Sequence, residues 1–139
     1  MPACYVIDVA HRIVISQALG RLTDSDLWQH QQRLRQDPMF DPTFCQLWDC
    51  TGVTAVAVTG EGLRQLATVS VFQPGTPRAI VAPNDAMYGL ARMFQTLRGF
   101  QGEQIAVFRE LADAHAWLEV AHLSAEAGPR YIDMPSGAR

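Results

Sequence analysis

The stretch FCQLWDCTGVTAVAVTGEGL, Phe44–Leu63, decides the fold class of this chain. Phe44–Cys50 is a near-continuous apolar run, the pattern of a strand covered on both faces. The run ends near Asp49, a Gly-containing loop follows, and a helix is expected to open near Thr59. Val53–Val58 reads two ways: its β-branched alternation fits a strand, and its position fits a long strand-to-helix loop. A strand, a loop and a helix in this order belong to an open α/β sheet, where ligand sites lie at the carboxyl ends of strands.

Working outward toward the N-terminus, Cys4–Val9 and Arg12–Leu19 are β-branched runs separated by Ala10-His11, and predict an antiparallel hairpin closed by Gly20. Thr23 is a favourable N-cap, and Asp24 and Asp26 complement the positive end of the helix that follows. Arg33 and Arg35 sit in its last turn, and Asp37-Pro38 stops it. Toward the C-terminus, a helix is expected from about Gly60 to Phe72, and Gln73–Pro77 is a break. Arg78–Ala82 predicts a short buried strand. Asn84-Asp85 then caps a helix whose apolar face is Met87, Leu90, Ala91, Phe94 and Leu97. Gln104–Phe108 predicts the last strand, and Leu111, Ala114, Trp117, Leu118 and Ala121 line one side of a final helix.

The predicted order is β-β-α-β-α-β-α-β-α. It implies a single mixed, mainly parallel sheet with an N-terminal antiparallel hairpin and right-handed crossovers. Residues 1–123 read as one α/β domain and 124–139 as a C-terminal tail, with Tyr131-Ile132 its only docking candidate. A length of 139 residues suits one domain, given roughly 100–200 residues per domain.

Composition narrows the function classes. With 48% hydrophobic and 18% charged residues the chain is an ordinary globular one. A formal charge of −3 argues against nucleic acid as a partner, since that affinity comes from neutralising phosphates. All 11 positive charges are Arg. The three cysteines, Cys4, Cys45 and Cys50, lack CxxC spacing and predict free thiols in a reducing cytoplasm. No signal peptide and no membrane span are expected.

Three junctions carry a family resemblance. They are Gly20-Arg21-Leu22-Thr23-Asp24 before the first helix, Asp49-Cys50-Thr51-Gly52-Val53 after the third strand, and Ala82-Pro83-Asn84-Asp85 followed by Tyr88–Phe94. With the element order, they make the chain resemble the STAS/Sec14-like domain family, which has the fold of bacterial anti-sigma-factor antagonists. The resemblance runs from about Tyr5 to Leu118 and takes in small uncharacterised bacterial STAS-like proteins. In the antagonists a phosphorylatable hydroxyl opens the second helix. The equivalent stretch here is Thr59-Gly60-Glu61-Gly62-Leu63, where Gly62 and Leu63 match and Gly60 replaces the acceptor serine. Thr59 is a neighbouring hydroxyl, not the matching one. Lipid or nucleotide binding occurs elsewhere in the wider group.

Each candidate residue has a functional and a structural account. Asp49 with Thr51 is a pair able to ligate a cation or polarise a hydroxyl, or an Asp capping loop amides. Asn84 and Asp85 open a helix whose free amides suit an anion, or they are a cap and a first-turn carboxylate. Thr59 and Gly60 expose amides in the same way, without the GxxxxGK[ST] or GxGxxG pattern of a nucleotide site. His115 and His122 stand two turns apart, about 10 Å in rise, too far to share a metal. His11 and His30 read as surface residues. Cys50 is a loop thiol or a buried inert one. No GxSxG elbow supports a hydrolase triad. Tyr88, Arg92 and Met93 lie off the apolar face of their helix and form a candidate interface.

The leading expectation is a cytoplasmic, non-enzymatic binding or regulatory module without metal or bound cofactor. Its ligand edge would be Asp49, Thr51, Thr59, Gly60, Asn84 and Asp85, taking a small anionic or lipid-like ligand or a protein partner. Two alternatives stay open. One is an enzyme acting on an anionic or acyl substrate with Asp49 or Asp85 as general base. The other is a structural homodimer presenting the 85–98 helix.

Overall fold

The computed structural model describes residues 2–121. His122, the domain limit expected at 123 and the tail with Tyr131-Ile132 lie outside the described residues. The elements are β1 (Ala3–Asp8), β2 (Ile13–Thr23), α1 (Asp24–Gln36), β3 (Cys45–Ala57), α2 (Gly60–Leu66), β4 (Pro77–Val81), α3 (Asp85–Gly99) and β5 (Gln104–Phe108). A last helix, α4, covers residues 111–121. The five strands form one sheet in the order β1-β2-β3-β4-β5. β1 and β2 are antiparallel, and the remaining pairs are parallel.

That order has a consequence for the helices. When each crossover has the usual right hand and steps the same way along the sheet, every connecting helix lands on the same face. Accordingly Leu27 of α1, Leu63 of α2 and Met87, Ala91 and Phe94 of α3 share one core with Ala18, Cys50, Ile80 and Ile105. The opposite face belongs to α4, whose Ala114 and Leu118 pack on Cys45, Leu47, Ala79 and Val81. The outer face of the β1–β2 hairpin leaves Val6, Ile15 and Leu19 exposed.

Local chemistry sets the helix starts. Thr23 caps α1 in a reciprocal box: its hydroxyl accepts from the Asp26 N–H (3.2 Å), and its own N–H donates to the Asp26 carboxylate (2.9 Å). Asn84 caps α3 by accepting from the N–H groups of Ala86 and Met87.

Three boundaries differ from the sequence expectations. Gly20 does not close the hairpin: it sits at a register shift with φ +65°, and β2 continues through it to Thr23. Glycine tolerates that left-handed backbone, which lets the strand bulge rather than stop. Val53–Ala57 is strand, because β2 runs on beside it and supplies the pairing, Gly20 with Val53 and Thr23 with Ala57. α2 stops at Leu66 instead of reaching Phe72. Ser70 turns the chain there by accepting from the Phe72 N–H and donating to Glu103, and Phe72 buries its ring edge-on against Phe40 at 5.2 Å. Among the described residues no helix is long and apolar enough to cross a membrane.

Candidate functional site

Alternation along β3 and β4 points Gln46, Trp48 and Cys50, with Arg78 and Ile80, at the face covered by α1, α2 and α3. Between that face and the helices lies a cavity of about 60 Å³. α1 contributes Leu27, His30, Gln31 and Leu34, one face of a helix at the expected spacing. α2 adds Leu63 and Leu66, α3 adds Met87, Leu90, Ala91 and Phe94, and the connection after α2 adds Val71 and Phe72. Gln31, Leu66, Val71 and Leu90 are half-buried and form the mouth. An apolar concavity with a few convergent polar groups is the usual form of a small-molecule site.

The polar groups at its floor form one connected chain. Arg78 donates through Nε (3.1 Å) and Nη2 (3.0 Å) to the Gln46 side-chain oxygen. A guanidinium only donates, so the Gln46 amide has its oxygen toward Arg78 and its nitrogen toward Ser16, to which it donates at 3.0 Å. Ser16 is fully buried, and its hydroxyl oxygen lies 2.9 Å from Nε2 of His30. Gln46 occupies one acceptor site of that oxygen; its hydrogen and its second lone pair both suit a neutral imidazole, as donor to Nε2 or as acceptor from it. Burial pushes the imidazole pKa down to about 4, and the Arg33 and Arg78 charges push the same way. The ring packs edge-on to Tyr5 (5.4 Å) and lies 4.4 Å from Trp48, centroid to centroid.

On its far side Arg78 donates to Glu103 at 2.6 Å, and its guanidinium lies over the Phe72 ring, 4.3 Å from the centroid. Glu103, with its side chain 1% exposed, also accepts from Ser70 (2.9 Å) and faces Arg98 Nη2 at 3.5 Å. Arg98 donates to the Ala67 carbonyl, while its buried Nε has no partner among the described residues. Burial lowers the Arg78 pKa, with Glu103 opposing the shift and Arg98 adding to it. Cys50 lines the cavity with its thiol pushed up to about 12, by burial first and by Asp49 second.

The residues expected to form a ligand edge are placed differently. Asp49 is inside β3, not at its carboxyl end, although it is the last β3 residue paired with β4. Its Oδ1 accepts from the N–H (2.9 Å) and hydroxyl (2.6 Å) of Thr51. Thr59 caps α2 and is held by Asp24, with Gly60 the first helical residue beside Met93. Asn84 caps α3, and Asp85 pairs with Arg109. Apart from the Asp49–Thr51 pair, these side chains bond to residues outside the expected edge and not to one another. Of the candidate interface, Arg92 is exposed. Tyr88 lies under the Arg109 guanidinium at 4.1 Å, and Met93 packs against the core.

His30 is the clearest miss: expected at the surface, it is 3% exposed. Its position in the Leu27–Leu34 apolar stripe was the available signal. Arg78 in an otherwise apolar strand was another, since a strand buried on both faces leaves a charge nowhere to go without a partner. Nothing in the sequence pairs it with Glu103.

No protein-family model matches the chain, and no curated protein matches it. Among solved structures, it is similar to an uncharacterised protein of the DUF3478 family from Shewanella loihica PV-4, whose crystal structure has a SpoIIAA-like fold. The match has a TM-score of 0.54 at 19% identity and covers 84% of this chain and 93% of that one. This chain has a SpoIIAA-like fold. The expected anti-sigma-factor-antagonist architecture is thus the observed one, including the antiparallel hairpin on an otherwise parallel sheet. Within the SpoIIAA-like frame, the cavity lies over the middle of the sheet, under the three crossover helices.

Proposed function

We propose that this chain is a binding module whose site is the cavity between the sheet and α1, α2 and α3, and whose ligand is a small molecule with substantial apolar surface. The observation that carries the proposal is the lining: an apolar concavity with His30, Gln46 and Arg78 converging at its floor. The loop edge at Asp49, Thr51, Thr59, Gly60, Asn84 and Asp85 supports a ligand less well, because the bonds that engage these side chains are internal. Asp49 and Asp85 also lie outside the cavity lining, so a general base there has no substrate pocket beside it. The homodimer reading is weakened in the same way, with Tyr88 and Met93 half-buried within their own domain.

The test is an NMR titration of the protein with 1-octanol. Shifts should concentrate on the methyl groups of Leu27, Leu63, Leu66, Met87 and Leu90. The Ala91→Leu variant, which places bulk in the cavity, should suppress them. Shifts absent or scattered over the surface would sink the proposal.

A further inference from the structure

The interior beneath the cavity carries more positive than negative charge. Among the described residues, Arg78 and Arg98 share a single carboxylate, Glu103, and all three are buried. His30 is neutral, and the described residues that line the cavity include no Asp or Glu. A buried charge without a counter-charge is expensive, so a surplus of one guanidinium calls for an anion. One further observation points the same way. Arg78 has five N–H donors, of which three are engaged by Gln46 and Glu103.

Size sets the orientation. The cavity measures about 60 Å³, well below the ~150 Å³ that accommodates benzene. It has room for a head group, not for a whole amphiphile. Its deep end is Gln46 and Arg78, both buried, and its mouth is the half-buried Leu66, Val71 and Leu90. Building on the binding reading above, we propose that the site takes an amphipathic monoanion head first, an alkyl carboxylate with its charge against Arg78 and its hydrocarbon against the mouth.

Octanoate, 1-octanol and octylamine, titrated at pH 7 with NMR detection, separate the ideas. Octanoate should bind at least ~10-fold more tightly than 1-octanol, the low end of what a hydrogen bond to a charged group contributes. Octylamine should bind most weakly. The Arg78→Met variant should bind octanoate and 1-octanol equally. Arg98→Met, which removes the same surplus without touching the lining, should narrow the preference and serves if Arg78→Met does not fold. Equal binding of octanoate and 1-octanol by the unaltered protein would overturn the charge proposal and leave the binding module standing. Binding of none of the three would overturn both.

Discussion

Asp24, the first residue of α1, accepts hydrogen bonds from both the N–H (2.8 Å) and the hydroxyl (2.6 Å) of Thr59, the N-cap of α2. Two helix starts far apart in sequence are locked by one carboxylate. The Thr59 oxygen in turn accepts from the Gly62 N–H at 3.0 Å.

Gly62 must be glycine for that lock to close. A Cβ there would stand 2.2 Å from Asp24 Cγ. Gly62→Ala should therefore destabilise the protein by about 1–2 kcal/mol through the displaced Asp24 bonds, outweighing the gain in helix propensity. Gly89, in α3 with nothing near its would-be Cβ, is the control. Gly89→Ala should stabilise by about 0.5–1 kcal/mol. Urea denaturation of the two variants checks both signs.

Glu103 holds two buried guanidiniums. Glu103→Gln removes their counter-charge and should cost about 3–5 kcal/mol, the range for breaking a buried ion pair from one side. Adding Arg98→Met to that variant should recover part of the loss by removing one unpaired charge. Additive losses in the double variant would show that the three groups do not form a unit.

His30 makes stability depend on pH between about 6.5 and 4. Its pKa falls from 6.5 to about 4 on folding, so in that window the unfolded chain binds more protons than the folded one. Stability is complete above the higher value and declines as pH drops, by roughly 3 kcal/mol once both forms are protonated. Asp8 and Asp41, whose carboxyls are held below their usual range by bonds from His11 and Thr43, add losses at lower pH. In His30→Gln, urea midpoints between pH 6.5 and 4 should vary less than in the unaltered protein. An unchanged slope would remove His30 as the cause.

Thiol reactivity should divide the cysteines. Cys4 is exposed, while Cys45 and Cys50 are buried and the Cys50 thiolate is strongly disfavoured. An aromatic disulfide reagent should titrate one thiol in the native protein and three in denaturant. In Cys4→Ser the fast thiol should vanish. Rapid native labelling of Cys50 would mean that the cavity opens far more than its walls suggest.

Much of the fold was legible because it rests on local rules. The Thr23 and Asn84 caps, the Met87–Phe94 stripe and the Arg78–Ala82 strand depend on neighbours within a few residues, and they occupy their expected elements. The boundaries that moved have non-local causes: Val53–Ala57 became strand because β2 extends beside it, and α2 shortened where Ser70 found Glu103. The cavity lining was hardly legible. Asp49 and Thr51 drew attention by position in the sequence, yet their chemistry closes on itself within two residues.

By itself the sequence determined the order of elements, the helix caps and the apolar stripe of α3. Those follow from backbone propensity and periodicity, which act over a few residues. Only the tertiary structure decided that Ser16, His30, Gln46, Arg78 and Glu103 would meet under one cavity. Four different elements and a loop supply them, and burial makes each polar group seek whatever partner the packed sheet and helices bring within reach.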